Sequence, residues 1–293
     1  MDDALLEVRR RIDKEPPLRE VLAASGFTAR KSLGQHFILD QNLTDRIAAG
    51  ARAPGADPAA PLLGRTVVEI GPGPGGLTRS LLRAGATVIA VEKDERARDA
   101  LAPLEAAARG RLTLKMADAL KSDPQAWAPR GATICANLPY NIATPLIVRW
   151  LCAPWPPWWS SATVMVQREV AARLVATVRG KDYGRLAVLA GARAHASPLF
   201  DVAPSAFVPP PKVWSTVVRL DPRPDAADVP VNALERVTGA AFGQRRKMLR
   251  SSLKSLGDAD TLIAEAGLSP TERAERVDVA DFIKLAKLLA ARD

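Results

Sequence analysis

From Thr66 onward the sequence returns repeatedly to a short apolar run, and most of these runs are followed by a stretch with helical spacing. Thr66–Ile70, Thr87–Glu92, Leu112–Met116, Ala132–Ala136 and Ala162–Gln167 read as strands. Continuous apolar runs of this length fit strands buried on both faces. Helices are expected over Gly76–Ala84, Asp94–Leu104, Thr144–Leu151 and Glu169–Val178. The alternation predicts an α/β fold, with a doubly wound, mostly parallel sheet covered on both sides. Leu186–Ala194 and Val213–Leu220 read as two late strands with no clear helix between them, which suggests an antiparallel edge.

The flanks read differently. Residues 1–25 look like a helical leader of mixed charge, and Asp40–Arg52 like a helix with Leu43 and Ile47 on one face. The proline-rich patches Ala153–Trp159 and Pro209–Pro211 read as loops, because proline interrupts both helix and ladder. Asp221–Val229 reads as a linker. Beyond it Leu249, Leu253 and Leu256, and later Phe282, Leu285 and Leu289, recur at helical spacing. The expected division is a leader over 1–25, the α/β domain over 26–221 and a small all-helical domain over 222–293.

Composition narrows the class. The 293 residues are 47% hydrophobic and 25% charged, which excludes a chain disordered throughout. The net charge is 41 − 32 = +9. Residues 221–293 carry 12 basic and 12 acidic side chains, so the excess lies in residues 1–220. It points to an anionic partner such as nucleic acid, though an arginine-rich surface alone would look the same. Two cysteines, Cys135 and Cys152, and two histidines, His36 and His195, leave no zinc-binding pattern, and reduced thiols suggest a cytoplasmic setting. The start, Met-Asp-Asp, is polar, and no apolar stretch approaches the roughly 18 residues of a membrane span. A soluble protein without membrane attachment and without a metal is expected.

The first strand runs into Glu69-Ile-Gly-Pro-Gly-Pro-Gly-Gly-Leu-Thr78. Glycines between a strand and a helix allow a ligand to approach the backbone closely, although a purely structural turn is a rival explanation. Glu92 ends the second strand about 20 residues on, where an acid accepts ribose hydroxyls. Asp118, after the third strand, is placed to meet an adenine edge. Both a nicotinamide dinucleotide and S-adenosylmethionine fit this ribose logic. The dinucleotide spacing Gly-x-Gly-x-x-Gly is missing, and Pro72 and Pro74 remove amide donors that a pyrophosphate would use. The loop, with Gly71 and Gly73, therefore favours S-adenosylmethionine, with S-adenosylhomocysteine as its product.

Asn137-Leu-Pro-Tyr140 ends the fourth strand, at the sheet edge where such folds bind ligands. The lone pair of adenine N6 is delocalised into the ring, so the amine is a poor nucleophile. The Asn137 amide oxygen and the Leu138 carbonyl can accept its two hydrogens and draw the nitrogen toward tetrahedral geometry. Pro139 stiffens the turn, and Tyr140 offers a face on which the base can stack. A strand-ending turn with a core tyrosine is the plainer alternative. Phe207, in a proline loop, can hold the other face of the base or simply plug the loop.

With these residues in hand, the sequence resembles the ribosomal RNA adenine N6,N6-dimethyltransferases, and within them the 16S branch, the kasugamycin-resistance methyltransferases. The matching blocks are Lys31-Ser-Leu-Gly-Gln-His-Phe-Ile38, Val68-Glu-Ile-Gly-Pro-Gly73, Asn137-Leu-Pro-Tyr140, Gln167-Arg-Glu-Val170, Tyr183-Gly-Arg-Leu186, Phe207-Val-Pro-Pro-Pro-Lys-Val213 and Ala241-Phe-Gly-Gln-Arg-Arg-Lys247. The resemblance implies a class I S-adenosylmethionine-dependent methyltransferase fold. It implies transfer of four methyl groups, two to each of two adjacent adenosines near the 3′ end of 16S RNA, on an immature 30S particle. It implies cofactor contacts at His36, Ile38, Gly71, Glu92, Asp118 and Asn137. Many members carry asparagine where this chain has His36 and leucine where it has Ile38. The 23S relatives usually read Asn-Ile-Pro-Tyr, whereas position 138 here is leucine.

A monomer binding RNA by shape is expected. Gln244–Lys254 carries five basic residues and no acid, and Arg246, Arg250 and Lys254 would share a face of one helix. Arg245, Arg246, Lys247 and Arg250 there, with Lys31 and Arg168 nearer the cleft, are the candidate RNA contacts; a solvated charged face is the ordinary alternative. Arg173, Arg179, Lys181 and Arg185 form a looser cluster. Rival functions are a 23S RNA or DNA adenine methyltransferase, a 30S assembly factor whose binding matters more than turnover, and a nicotinamide oxidoreductase.

Overall fold

A computed structural model describes residues 3–53, 55–226 and 228–293. Nine strands form in chain order: β1 (Phe37–Ile38), β2 (Thr66–Ile70), β3 (Thr87–Glu92), β4 (Leu112–Met116), β5 (Ala132–Asn137), β6 (Trp159–Gln167), β7 (Ala194–Val202), β8 (Phe207–Val208) and β9 (Ser215–Pro222). Seven of them make one sheet in the order β4-β3-β2-β5-β6-β9-β7, and β1 pairs antiparallel with β8 beside it. The pairings from β4 through β6 are parallel, and β9 runs antiparallel to β6. The helices Gly76–Arg83, Ala97–Ala107 and Ala143–Leu151 follow β2, β3 and β5. The order reverses between β2 and β5, so their carboxyl ends flank the crevice where doubly wound sheets take ligands.

Val67 and Val68 on β2, and Val88, Ala90 and Val91 on β3, are all buried, as a sheet covered on both faces requires. Residues 1–25 form two helices, Asp3–Lys14 and Leu18–Ser25. The first packs on Gly76–Arg83 and Ala97–Ala107, and its Val8 and Ile12 join the same core as Leu81 and Leu101.

The chain divides into two compact units, cut differently from the expected boundaries. The first holds Met1–Ile147, Pro157–Arg168 and Pro198–Asp221; the second holds Val148–Pro156, Glu169–Ser197 and Pro222–Asp293. Two internal segments therefore belong with the C-terminal helices. The reason is visible at Arg193, a buried guanidinium that donates to Leu151 O at 2.9 Å, Ala153 O at 2.5 Å and Ala226 O at 3.0 Å. Tyr183 OH likewise donates to Val277 O at 2.9 Å.

Three elements correct the sequence expectation. Leu186–Ala194 is not a strand: Arg185–Arg193 is a helix, and the missing strand is β7 just after it. Ala187, Val188, Leu189, Ala190 and Ala192 are all buried, so this helix is apolar nearly all round and its spacing cannot be told from that of a buried strand. The basic run also does not form one helix. The helix Val231–Gly243 ends before it, and Leu249–Ser252 and Leu253–Leu256 are single short turns. The helix expected to Val178 stops at Leu174.

Candidate active site

The cavity lies at the carboxyl ends of β2 and β5, entirely within the first unit. Gly71, Gly73 and Gly75 adopt positive φ angles of 70°, 54° and 91° in the loop after β2. At Gly71 a side chain would meet the Pro139 ring at 3.4 Å, and at Gly73 the Phe37 ring at 3.1 Å. Glycine here lets the loop turn and press against the wall that carries Asn137.

Glu92, at the end of β3, is 7% exposed. Its Oε1 accepts the amides of Lys93 at 2.8 Å and Asp94 at 2.9 Å, and its Oε2 accepts that of Gly73 at 3.3 Å. Burial raises its pKa, and the three amide donors pull the other way. The carboxylate is thus held rigidly and faces the cavity. Asp118 takes Leu120 N at 3.0 Å and Lys93 Nζ at 2.9 Å, and the lysine holds its pKa below the ordinary value.

Asn137 ends β5. Its Nδ2 donates to the backbone carbonyl of His36 at 2.9 Å. That bond fixes the amide, and among the described residues no group donates to Oδ1. Leu138 is buried, with its amide bonded to Met165 O at 3.2 Å. Tyr140 is half-buried, and its hydroxyl shares a 2.6 Å hydrogen bond with Ser215 Oγ. His36 lies over the tyrosine ring with centroids 5.2 Å apart, and its Nδ1 donates to Pro209 O at 2.7 Å. Its side chain therefore contacts the aromatic turn, while its backbone carbonyl orients Asn137. Ile38 is buried and pairs with Phe207 in the β1–β8 ladder.

Phe207 does not face the open cavity. It is 2% exposed and meets His36 edge-on at 6.4 Å, which matches the plug reading in this conformation. Arg168 is committed: it pairs with Asp201 and lies over the Trp214 ring at 5.3 Å. Arg245 pairs with Glu275 at 3.3 Å and donates to Lys181 O at 2.9 Å. Arg246, Lys247 and Arg250 are exposed. The side chain of Lys31 lies outside the described residues.

Sequence reasoning assigned no role to several groups that shape the site. Glu69 is fully buried in the cavity floor, accepts Thr78 Oγ1 at 2.7 Å, and is pushed up to about 8, first by burial and then by the nearby Glu92. Gln35 donates to Asp94 Oδ2 at 3.2 Å and accepts Arg30 N at 3.0 Å, which ties the segment before β1 to the end of β3. An acid immediately before the glycine loop and a glutamine immediately before His36 were the available signs.

The donor set answers which group fits. Three carboxyl groups, Glu69, Glu92 and Asp118, line the cavity, and Lys93 is bonded to one of them. A pyrophosphate would meet repulsion and two prolines without amide hydrogens. A sulfonium nucleoside, which carries positive charge and no phosphate, is compatible with this acidic lining.

Residues 26–291 match the model of the ribosomal RNA adenine dimethylase family. The chain belongs to that family. It is an S-adenosylmethionine-dependent methyltransferase that dimethylates adenine in ribosomal RNA. The chain is 57% identical over 279 residues to the Ribosomal RNA small subunit methyltransferase A of Azorhizobium caulinodans, covering 94% of this chain and 93% of that protein. A protein of the same name from Rhodopseudomonas palustris is 58% identical over 283 residues, covering 95% and 96%. Among solved structures, a dimethyladenosine transferase from Plasmodium falciparum aligns with a TM-score of 0.70 at 24% identity, covering 88% of this chain and 98% of that one. The 23S rRNA methyltransferase ErmE gives 0.61 at 24% identity, covering 87% and 99%. These two likenesses establish the class I methyltransferase fold. No helix among the described residues is long and apolar enough to cross a membrane.

Proposed function

We propose that the chain dimethylates N6 of two adjacent adenosines near the 3′ end of 16S rRNA, on an immature 30S subunit, as a cytoplasmic monomer that needs no metal. The small-subunit relatives support the choice of particle. The observation that carries the chemistry is the Asn137 amide, locked by His36 O at 2.9 Å with its oxygen left to accept.

When bound, the donor supplies a methyl group made electrophilic by a sulfonium. The chain's own residues do the rest by positioning. Glu92 would hold the donor's ribose hydroxyls and Asp118 its adenine amine, with Gly71, Gly73, His36 and Ile38 forming the wall. Asn137 Oδ1 and the Leu138 carbonyl accept the two N6 hydrogens of the target base. The nitrogen lone pair leaves conjugation with the ring and points at the methyl group. Tyr140, held by Ser215, stacks the base, and Pro139 stiffens the turn between them. Phe207, buried edge-on to His36, backs the wall from behind. No side chain needs to remove a proton before attack, because the methylated amine is acidic enough to lose its proton to water. Catalysis rests on orientation and on accepting groups fixed in advance. Arg246, Lys247 and Arg250 hold phosphates, and Lys31 and Arg168 stand nearer the cleft.

The test offers labelled S-adenosylmethionine with undermethylated small subunits, large subunits and duplex DNA. Label should enter the small subunit and appear as dimethyladenosine. Asn137→Ala should lower the rate by ~100-fold or more, the usual cost of removing one preorganised polar group, while binding to undermethylated small subunits persists. Label in large subunits or DNA alone would overturn the choice of substrate.

A further inference from the structure

One exposed cluster has no part in the fold or in the mechanism above. Among the described residues, Leu63, Val178, Leu199 and Met248 are exposed apolar side chains scattered singly, which is ordinary. Val208, Val213 and Trp214 differ, because Val208 ends β8 and the other two end the short loop that follows it, at 46%, 44% and 46% exposure. The loop is pinned at both ends to the wall of the active site. At one end His36 Nδ1 donates to Pro209 O at 2.7 Å. At the other, Ser215 holds the Tyr140 hydroxyl at 2.6 Å. Trp214 is therefore one residue from the contact that positions the base-stacking tyrosine.

Its ring is also braced. The Arg168 guanidinium lies 5.3 Å from the ring centroid, and Arg168 N donates to Trp214 O at 2.9 Å. Asp201 anchors that arginine, and its second oxygen accepts Thr216 Oγ1 at 2.6 Å. Lys212 is exposed two residues away. An indole held by a cation, with another cation beside it, next in the chain to the serine that holds Tyr140, combines a flat stacking face with charge complementary to phosphate.

We infer that Trp214 is the stacking platform for an unpaired RNA base next to the one in the pocket, with Lys212 at its phosphate. The inference rests on the reading that the substrate is ribosomal RNA. Arg168 then acts through Trp214, as its brace, rather than as a phosphate clamp.

The test compares Trp214→Ala and Trp214→Phe with the parent chain on undermethylated small subunits, alongside donor affinity, thermal midpoint and self-association. A second arm measures single-stranded oligoadenylate binding by fluorescence anisotropy, which needs no turnover. Trp214→Ala should raise KM by about ten-fold, the effect of losing one stacked base, and weaken oligoadenylate binding comparably. The kcat, donor affinity and thermal midpoint should hold, and Trp214→Phe should recover most of the loss. Unchanged KM and oligoadenylate affinity in Trp214→Ala would overturn the inference. So would a loss that follows self-association, which would mark the patch as a contact between copies of the chain. If the parent methylates no ribosomal RNA, the functional reading fails, and the oligoadenylate arm still decides the role of Trp214.

Discussion

Glu69 shows what one residue in the cavity floor implies for stability. Its carboxyl is raised from 4.5 to about 8, so it stays protonated in the fold at neutral pH and ionises in the unfolded chain. The folded state then holds one more proton between those two values, and stability falls as pH rises through that window. The slope from this group approaches ~1.4 kcal/mol per pH unit. Urea unfolding at pH 5, 6.5 and 8 should show this decline in the parent chain, and Glu69→Gln should flatten it. Equal slopes in the two chains would mean that Glu69 is ionised in the fold. The residue-scale reading of the sequence went furthest where chemistry is tied to a fixed place on a strand. Asn137, Glu92, Gly71 and Asp118 all line one cavity, because each ends or follows a strand of a parallel sheet. It went less far at Phe207 and Arg168, whose burial and ion pairing depend on neighbours over 30 residues away in the chain.

Among the elements, β2 and β3 stand where the apolar runs put them, since a buried parallel strand carries its own signature, and β4, at the sheet edge, follows its own short run. The helix Arg185–Arg193 was hidden because burial on most sides erases the 3.6-residue period. The strand β7 was hidden because Pro198 and polar residues break its alternation, which an edge strand tolerates. That same helix ends in the buried Arg193, whose three carbonyl partners and contact with Trp155 at 4.3 Å hold the second unit together. Arg193→Met should cost ~3 kcal/mol, because three buried carbonyls lose their donor. Chemical unfolding of the variant measures it. A cost under ~1 kcal/mol would show that the bonds are replaced by water.

Across the whole molecule, the excess charge of +9 makes binding to RNA a matter of counterion release. Not every arginine contributes equally. Arg246 and Lys247 are exposed, whereas Arg245 is paired with Glu275. In a plot of log affinity for small subunits against log salt, Arg246→Ala or Lys247→Ala should reduce the slope by about 0.7–0.9 each, one phosphate contact. Arg245→Ala should reduce it by clearly less, and a drop as large as the others would show that its pairing opens on binding.

The ladder that joins Phe37 to Val208 and Ile38 to Phe207 spans some 170 residues of chain. A ribosome making this protein releases the glycine loop and Asn137 long before β8 and β9 emerge. The nascent chain at that point lacks the Ser215 that steadies Tyr140 and the Pro209 carbonyl that seats His36. Synthesis itself thus orders assembly: these contacts of the site wall can close only once nearly three-quarters of the polypeptide has been laid down.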